Sequence, residues 1–357
     1  MDVIVSNDKL KSGNQRIEFI DAMRGFTMIL VVVCHVSGFC LGIGTDVPSI
    51  HPFLYEFRMP TFFFISGFVL YKSTQVWNMG AVLSFLKKKF PVQIVTTSIF
   101  FLIFIYLHNE NLIDGLFSDS KLGYWFTYTL FFYFIFYSLS RCILQALKCN
   151  DTLTDSFVFL IGTLFYFLFS VRSVFYHLPL SFELSRLLSM QHWGYFLFFT
   201  IGTLFKKYYS QLQLLLDTKP IIFVCLVLFF GGNIFYQNSG LLWNVLFNLS
   251  MAICGIVLVF SFFRINQSSF AKEKPLGKCL QYMGRRTLDI YLLHYFLLPT
   301  GLLEISGFLR VHPMPILEFV ITLVISLIVI GGCLILSNIL RMSPAMTYLL
   351  FGVKKRK

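Results

Sequence analysis

Apolar residues fall along this chain in long runs separated by short polar or basic stretches. Measured against the roughly 20 residues a helix needs to cross a bilayer, the runs predict about ten transmembrane helices. They cover about 17–42, 59–77, 91–108, 124–146, 155–176, 192–206, 220–236, 241–263, 287–304 and 316–340. The second is expected to open on Pro60, where a missing N–H costs nothing. Between the runs lie a short loop with Asp46, Pro48 and Pro52, a basic turn at Leu86–Phe90, and a turn at Gln237-Asn238-Ser239-Gly240. A longer basic segment spans Arg264–Arg286, and a basic tail, Lys354–Lys357, follows the last run. The expected fold is all-α, a single polytopic transmembrane helix bundle over residues 1–357. No composition shift marks a second domain and no long internal repeat is visible.

Composition places the same reading on firmer ground. With 57% hydrophobic, 18% aromatic and 13% charged residues, the chain lies far outside the range of soluble domains. The formal charge of +12 raises nucleic acid as a partner, but the basic blocks flank apolar spans. There they read as topology signals and contacts to lipid headgroups, so no nucleic acid is expected. With both termini cytoplasmic, the inner segments hold about 24 Lys and Arg and the outer ones about 5, which decides the orientation. The first apolar run is too long for a signal-peptide core and is expected to remain as the first span, in a multi-pass protein of the cytoplasmic membrane. None of the eight cysteines pairs with another in an outer loop, and no CxxC spacing occurs, so neither a disulfide framework nor a metal site is expected.

Candidate chemistry begins in the first run, where RIEFIDAMRGFTMILVVVCHVSGFCL carries Arg24 and His35. Ionisable groups inside a membrane are costly, and a site or a buried partner is the usual reason for them. Eleven residues make three helical turns plus 20°, so both side chains share a face, roughly 16 Å apart along the axis. A cation at the cytoplasmic edge would then sit below an imidazole near the midplane. This geometry suits a long anionic ligand entering from the inside, with its phosphates at the edge and its reactive end at the histidine, and coenzyme A has that shape. The alternatives are a snorkelling anchor and a hydrogen-bonded packing histidine; they suit Arg24 alone better than they suit the pair. Asp21, three residues before Arg24, is positioned to orient it.

Two further groups stand out. RMPTFFFISGF places Arg58 at the expected outer mouth of the second helix, facing an acceptor anion or a developing oxyanion, while Ser66 and Gly67 suit close helix packing. GRRTLDIYLLH places Thr287, Tyr291 and His294 on one helical face, with His294 at nearly the depth of His35 and arginines 285 and 286 at the inner edge. A shared cavity and a histidine bonded to a backbone carbonyl are both open for His294. Tyr124, Trp125 and Trp193 read as an interfacial aromatic belt, and His51, His108, His177, His192 and His312 as solvated groups in loops or at helix ends.

With these residues laid out, the chain resembles the acyltransferase 3 family of integral membrane acyltransferases. The Arg-x10-His pair within IDAMRGFTMILVVVCH, the RMPTFFFISGF segment and GRRTLDIYLLH come in the family's order, with weaker echoes at YWFTYTLFF and FFTIGTLFKKY. The resemblance implies transfer of an acyl group, usually acetyl, from cytoplasmic acetyl-CoA to a carbohydrate or lipid-linked glycan. It makes His35 catalytic and Arg24 its partner, and it makes Arg58, Tyr291, His294 and Thr287 line the acceptor site. Arg24, Lys88, Lys89, Arg285 and Arg286 would hold the phosphates of the donor. Many members carry an Arg-x-x-Arg pair after the second helix; FLKKKFPVQI has Lys88 and Lys89, with Val92 and Gln93 where the second arginine would fall. Lysine binds phosphate as a point charge, without arginine's fork. No soluble hydrolase-like domain is expected, so transfer would finish in the membrane, within a homo-oligomer or with a separate extracytoplasmic partner. The alternative from another class is a transporter or flippase for a glycan-related substrate, for which ten helices and buried charges are equally natural.

Overall fold

The computed structural model describes residues 17–43, 49–170, 182–216, 218–235 and 240–353, all helix and connecting segments, with no strand among them. Arg16, Asp46, Pro48, Arg172, His177, Gln237–Ser239 and the basic tail Lys354–Lys357 lie outside these residues. The protein is a polytopic helix bundle. Among the described residues seven helices are long and apolar enough to cross a membrane, and Lys219–Phe235 is a shorter apolar helix.

The first helix, α1 (Glu18–His35), runs on into a π-helical turn, Val36–Cys40. Next come α2 (His51–Leu70) and α3 (Met79–Phe90), whose Asn78 cap accepts from Ala81 N–H. A second π turn, Pro91–Val95, joins α3 to α4 (Thr96–His108) as one helix of 30 residues. Short α5 (Leu112–Phe117) precedes α6 (Trp125–Ala146), α7 (Asp151–Ser170) and α8 (Phe182–Leu187). A 3-10 segment, Met190–Tyr195, leads into α9 (Phe196–Lys207), followed by α10 (Tyr209–Leu216), α11 (Lys219–Phe235) and α12 (Leu241–Ile265). The C-terminal part holds α13 (Pro275–Arg285), α14 (Thr287–Leu297), α15 (Leu303–Val311), α16 (Pro315–Leu340) and α17 (Pro344–Phe351).

Each of the ten expected runs contains helix, with several boundaries moved. The LKKKF stretch, expected as a turn, is the last turn of α3. Its Leu, Lys and Phe residues are compatible with helix, and the N–H that Pro91 lacks is absorbed where the chain widens to the π turn. The second helix begins at His51 rather than at 59, and Pro60 lies inside it. Arg58, expected at the helix mouth, is therefore seven residues inside it, and His51 is its first residue. The ninth stops at Leu297 because Leu298, held extended (φ −65°, ψ 124°), precedes Pro299. The basic segment 264–286 is not a loop throughout, since it contains α13.

Contacts divide the chain into two compact units. The first is Met1–Phe62 with Tyr209–Ile339, and the span formed by α1 and its π turn is mostly buried. Helix α13 crosses α1 at two glycines. A Cβ on Gly25 would fall on the Leu280 carbonyl oxygen, and one on Gly284 on that of Asp21, so the two backbones touch where only glycine fits. Phe19 against Phe260 (5.6 Å between centroids) and Phe26 against Phe263 (5.5 Å) hold α1 to α12. Phe57 of α2 fills the notch left by Gly255 and packs on Phe229.

The second unit is Phe63–Tyr208 with Leu340–Lys357. Gly67 lies against the Phe199 carbonyl and Gly202 against that of Phe64, the close packing expected of Gly67. Asp155 gathers Arg141 (2.5 Å), Lys207 (2.6 Å) and Tyr208 (2.7 Å). Two expectations fail in this unit: Tyr124 is fully buried rather than interfacial, and His192 stacks on Trp125 at 3.7 Å rather than facing solvent. His192 lies in the 3-10 segment, whose tight turns lay the imidazole against the indole.

Because the crossing of α1 and α13 has no room for a methyl group, Gly284→Ala and Gly25→Ala should each force the backbones apart and cost about 1–3 kcal/mol. A thermal melt of the purified full chain in detergent checks this. Gly301→Ala, with no atom within 4 Å but a positive φ of 81°, should cost less.

Candidate active site

Helices α1 and α14, both in the first unit, bring the sequence-singled residues together in two rungs. At the lower rung Arg24 Nη2 donates to Thr287 Oγ1 (3.3 Å), and Asp21 lies 4.0 Å from Arg24 Nη1. Thr287 is the first residue of α14, so the guanidinium is fixed to the start of that helix. At the upper rung His35 Nδ1 meets His294 Nε2 at 2.8 Å, with the rings parallel to within 10°.

The hydrogen bonds at the upper rung assign both tautomers. His294 Nδ1 faces two carbonyl oxygens, Tyr291 (2.8 Å) and Ile290 (3.1 Å), which only accept, so Nδ1 carries the proton. A neutral His294 then presents a lone pair at Nε2, and His35 must donate to it from Nδ1. That leaves the lone pair of His35 on Nε2, where it accepts from the Tyr295 hydroxyl (3.4 Å). His294 is fully buried, while His35 is only partly so. The arrangement is therefore one reachable base held in orientation by a second, enclosed imidazole.

His35 is the last residue of α1, 17 residues after Glu18 or roughly 26 Å along the axis, and the π turn that begins just beyond it carries the span on to Cys40. Phe39 of that turn places its ring 5.7 Å from His35 and is 67% exposed, so the turn forms the open side of the imidazole.

The other expected residues are distributed as follows. Tyr291 is buried, its ring 6.1 Å from that of His294. Arg58 lies in the interior of α2 rather than at a helix mouth, because α2 starts seven residues before it. It is 9% exposed, and its Cζ is 4.3 Å from the centre of the Tyr55 ring. Arg286 bonds Asp289 (3.0 Å), which also accepts from Ser337, and Arg285 reaches Gln281 on its own helix (3.5 Å). Lys88 and Lys89 are on α3 in the second unit, where Lys89 Nζ lies 5.0 Å from the Phe134 ring centre.

A family model for the acyltransferase domain Acyl_transf_3 matches residues 17–337. The chain belongs to this family. No curated protein and no solved structure matches it. Membership together with the seven spanning helices makes the protein a multi-pass membrane acyltransferase.

Two parts of the acyltransferase's first unit escape sequence reasoning. Tyr295 carries no spacing signal beyond its place next to His294. The second is a closed polar cluster on Glu318, which accepts from Ser49 Oγ (2.6 Å), His51 Nε2 (2.6 Å) and Ser37 Oγ (2.9 Å). Glu318 is 2% exposed and His51 3%, so His51 is not the solvated loop residue it was expected to be. The signal was present in the sequence: a carboxylate at the fourth position of an apolar helix needs buried donors. Ser37 belongs to the π turn after His35, so the cluster ties that turn to α16. Glu318→Ala should strip three donors of their acceptor, two of them buried, and cost about 3–5 kcal/mol. The check is the melting temperature of the full chain, and Glu318→Gln, which keeps an acceptor, should lose less.

Proposed function

We propose that the acyltransferase moves an acetyl group from acetyl-CoA to a hydroxyl of a cell-envelope carbohydrate or lipid-linked glycan, with His35 as general base. The observation that carries this reading is the His35–His294 hydrogen bond at 2.8 Å, with the lone pair of His35 left on Nε2 beside a turn whose Phe39 is exposed. A base must lie within hydrogen-bonding reach of the proton it takes, in the correct tautomer and orientation, and His294 supplies the orientation.

In this mechanism the acceptor hydroxyl takes the place of the Tyr295 hydroxyl at His35 Nε2, and its oxygen attacks the thioester carbonyl as its proton passes to that nitrogen. The carbon–oxygen bond forms and the carbon–sulfur bond breaks. The proton on His35 then goes to the departing thiolate, releasing coenzyme A as the free thiol. The second imidazole stabilises the cation that His35 becomes, because its Nε2 lone pair points at the Nδ1 proton. Arg24, fixed by Thr287 one rung below, is placed for the donor's phosphates, with Arg285 and Arg286 at the same end of α14. The protein would lie in the cytoplasmic membrane with both termini inside, so the donor approaches Arg24 from the cytoplasm.

The test is thiol release from acetyl-CoA by the purified full chain in lipid nanodiscs, with an extract of host glycans as acceptor. His35→Ala should lower kcat by about 10²–10⁴-fold, the usual worth of a general base. His294→Ala, which leaves His35 Nδ1–H without its acceptor, should lower kcat while KM for acetyl-CoA stays unchanged. Full activity in a folded His35→Ala variant, or no thiol release by the native chain with any acceptor, would sink the proposal.

A further inference from the structure

The lone pair that the mechanism needs is covered. The Tyr295 hydroxyl donates to His35 Nε2 at 3.4 Å, and an imidazole nitrogen has one lone pair, so it serves one donor at a time. Three rings hold the phenol there. Its ring lies 4.0 Å from that of His294, 5.2 Å from that of His35 and 6.0 Å, edge on, from that of Phe39, and Tyr295 is buried. The bond itself is long for a hydroxyl donor and therefore weak, so it occupies the nitrogen without being costly to displace.

His35, by contrast, is only partly buried, and the turn beside it carries the exposed Phe39. An opening that admits a sugar hydroxyl also admits water, and a base that activates one can activate the other. Water attack would follow the course of transfer. The water oxygen bonds to the thioester carbonyl carbon, its proton passes by way of His35 Nε2 to the departing thiolate, and acetate and coenzyme A result. To reach Nε2, however, a water must push the phenol aside against the three rings around it, with no other contact to offset that. An acceptor sugar has a ring and further hydroxyls to bind elsewhere, and such remote contacts drive rearrangement at a reacting centre. We infer that Tyr295 is a specificity-determining residue: its hydroxyl caps the base against water and gives way to the acceptor, so that acyl transfer is favoured over hydrolysis of acetyl-CoA. This rests on the reading of His35 as the base.

The test compares the native full chain in lipid nanodiscs with Tyr295→Phe, which keeps the ring and removes the hydroxyl. One readout needs no turnover. Diethyl pyrocarbonate attacks the lone pair of a neutral imidazole, and mass spectrometry of the His35 peptide should show modification about three- to tenfold faster in Tyr295→Phe, the scale of one hydrogen bond. The other readout is release of thiol and acetate from acetyl-CoA. Without acceptor, Tyr295→Phe should hydrolyse acetyl-CoA about three- to tenfold faster than the native chain, on the same scale, and adding His35→Ala should remove that excess. With a host glycan extract, KM for the acceptor should fall, because no phenol has to be displaced. A tyrosine that served packing alone would lower transfer and hydrolysis together when changed. Unchanged reactivity of His35 overturns the cap, as does a parallel loss of both rates. So does unchanged acceptor-free hydrolysis in a chain whose transfer depends on His35. If His35 becomes more reactive while neither chain releases thiol with any acceptor, the capped imidazole stands and the acyl-transfer reading falls instead.

Discussion

Polar groups on an apolar helix must find partners on other helices, and in this acyltransferase that requirement fixes where α1 lies. Arg24 is met by Thr287, His35 by His294 and Ser37 by Glu318. All three partners come from the C-terminal part of the chain. In hydrocarbon an unmet donor or acceptor costs several kcal/mol, so three such bonds along one helix leave little freedom of rotation or slip. The register that satisfies Arg24 also brings the two imidazoles face to face. Burial and chemistry are thus set by the same few hydrogen bonds.

The backbone crossing of α1 and α13 makes this register physically accessible. Gly25 and Gly284 let the two helices touch, and Gly284 is three residues before Thr287. A larger residue at either position would move the start of α14, and with it the partner of Arg24. Aromatic contacts from α12 hold the opposite side of α1. The result is a rigid rung at the start of α14 and a second rung seven residues further on.

Beyond His35 the helix changes character. The π turn Val36–Cys40 carries an exposed Phe39 and a buried Ser37 two positions apart, one beside the imidazole and one on Glu318. Such turns are rare and occur often at functional sites, because an extra residue per turn redirects side chains without ending the helix. Here the turn opens the end of α1 at the base, while Glu318 prevents it from fraying. The upper rung therefore combines an oriented base and an opening within one unit of the fold.

The sequence by itself determined that the chain is an all-α membrane protein. It also located ten apolar runs, placed Arg24 and His35 on one face, and gave enough ordered motifs to indicate the family. These follow from hydropathy and helical period, which depend on residues close along the chain. Only the tertiary structure decided that His51 and Arg58 lie within a helix, that Glu318 is the buried acid beside His51, that LKKKF is helical, and which nitrogen of His35 carries the lone pair. The His35–His294 bond spans 259 residues of sequence and the His51–Glu318 bond 267. A polar residue in an apolar stretch reads locally as loop, anchor or site with equal ease. What distinguishes them is whether packing delivers a partner, and no local pattern records that.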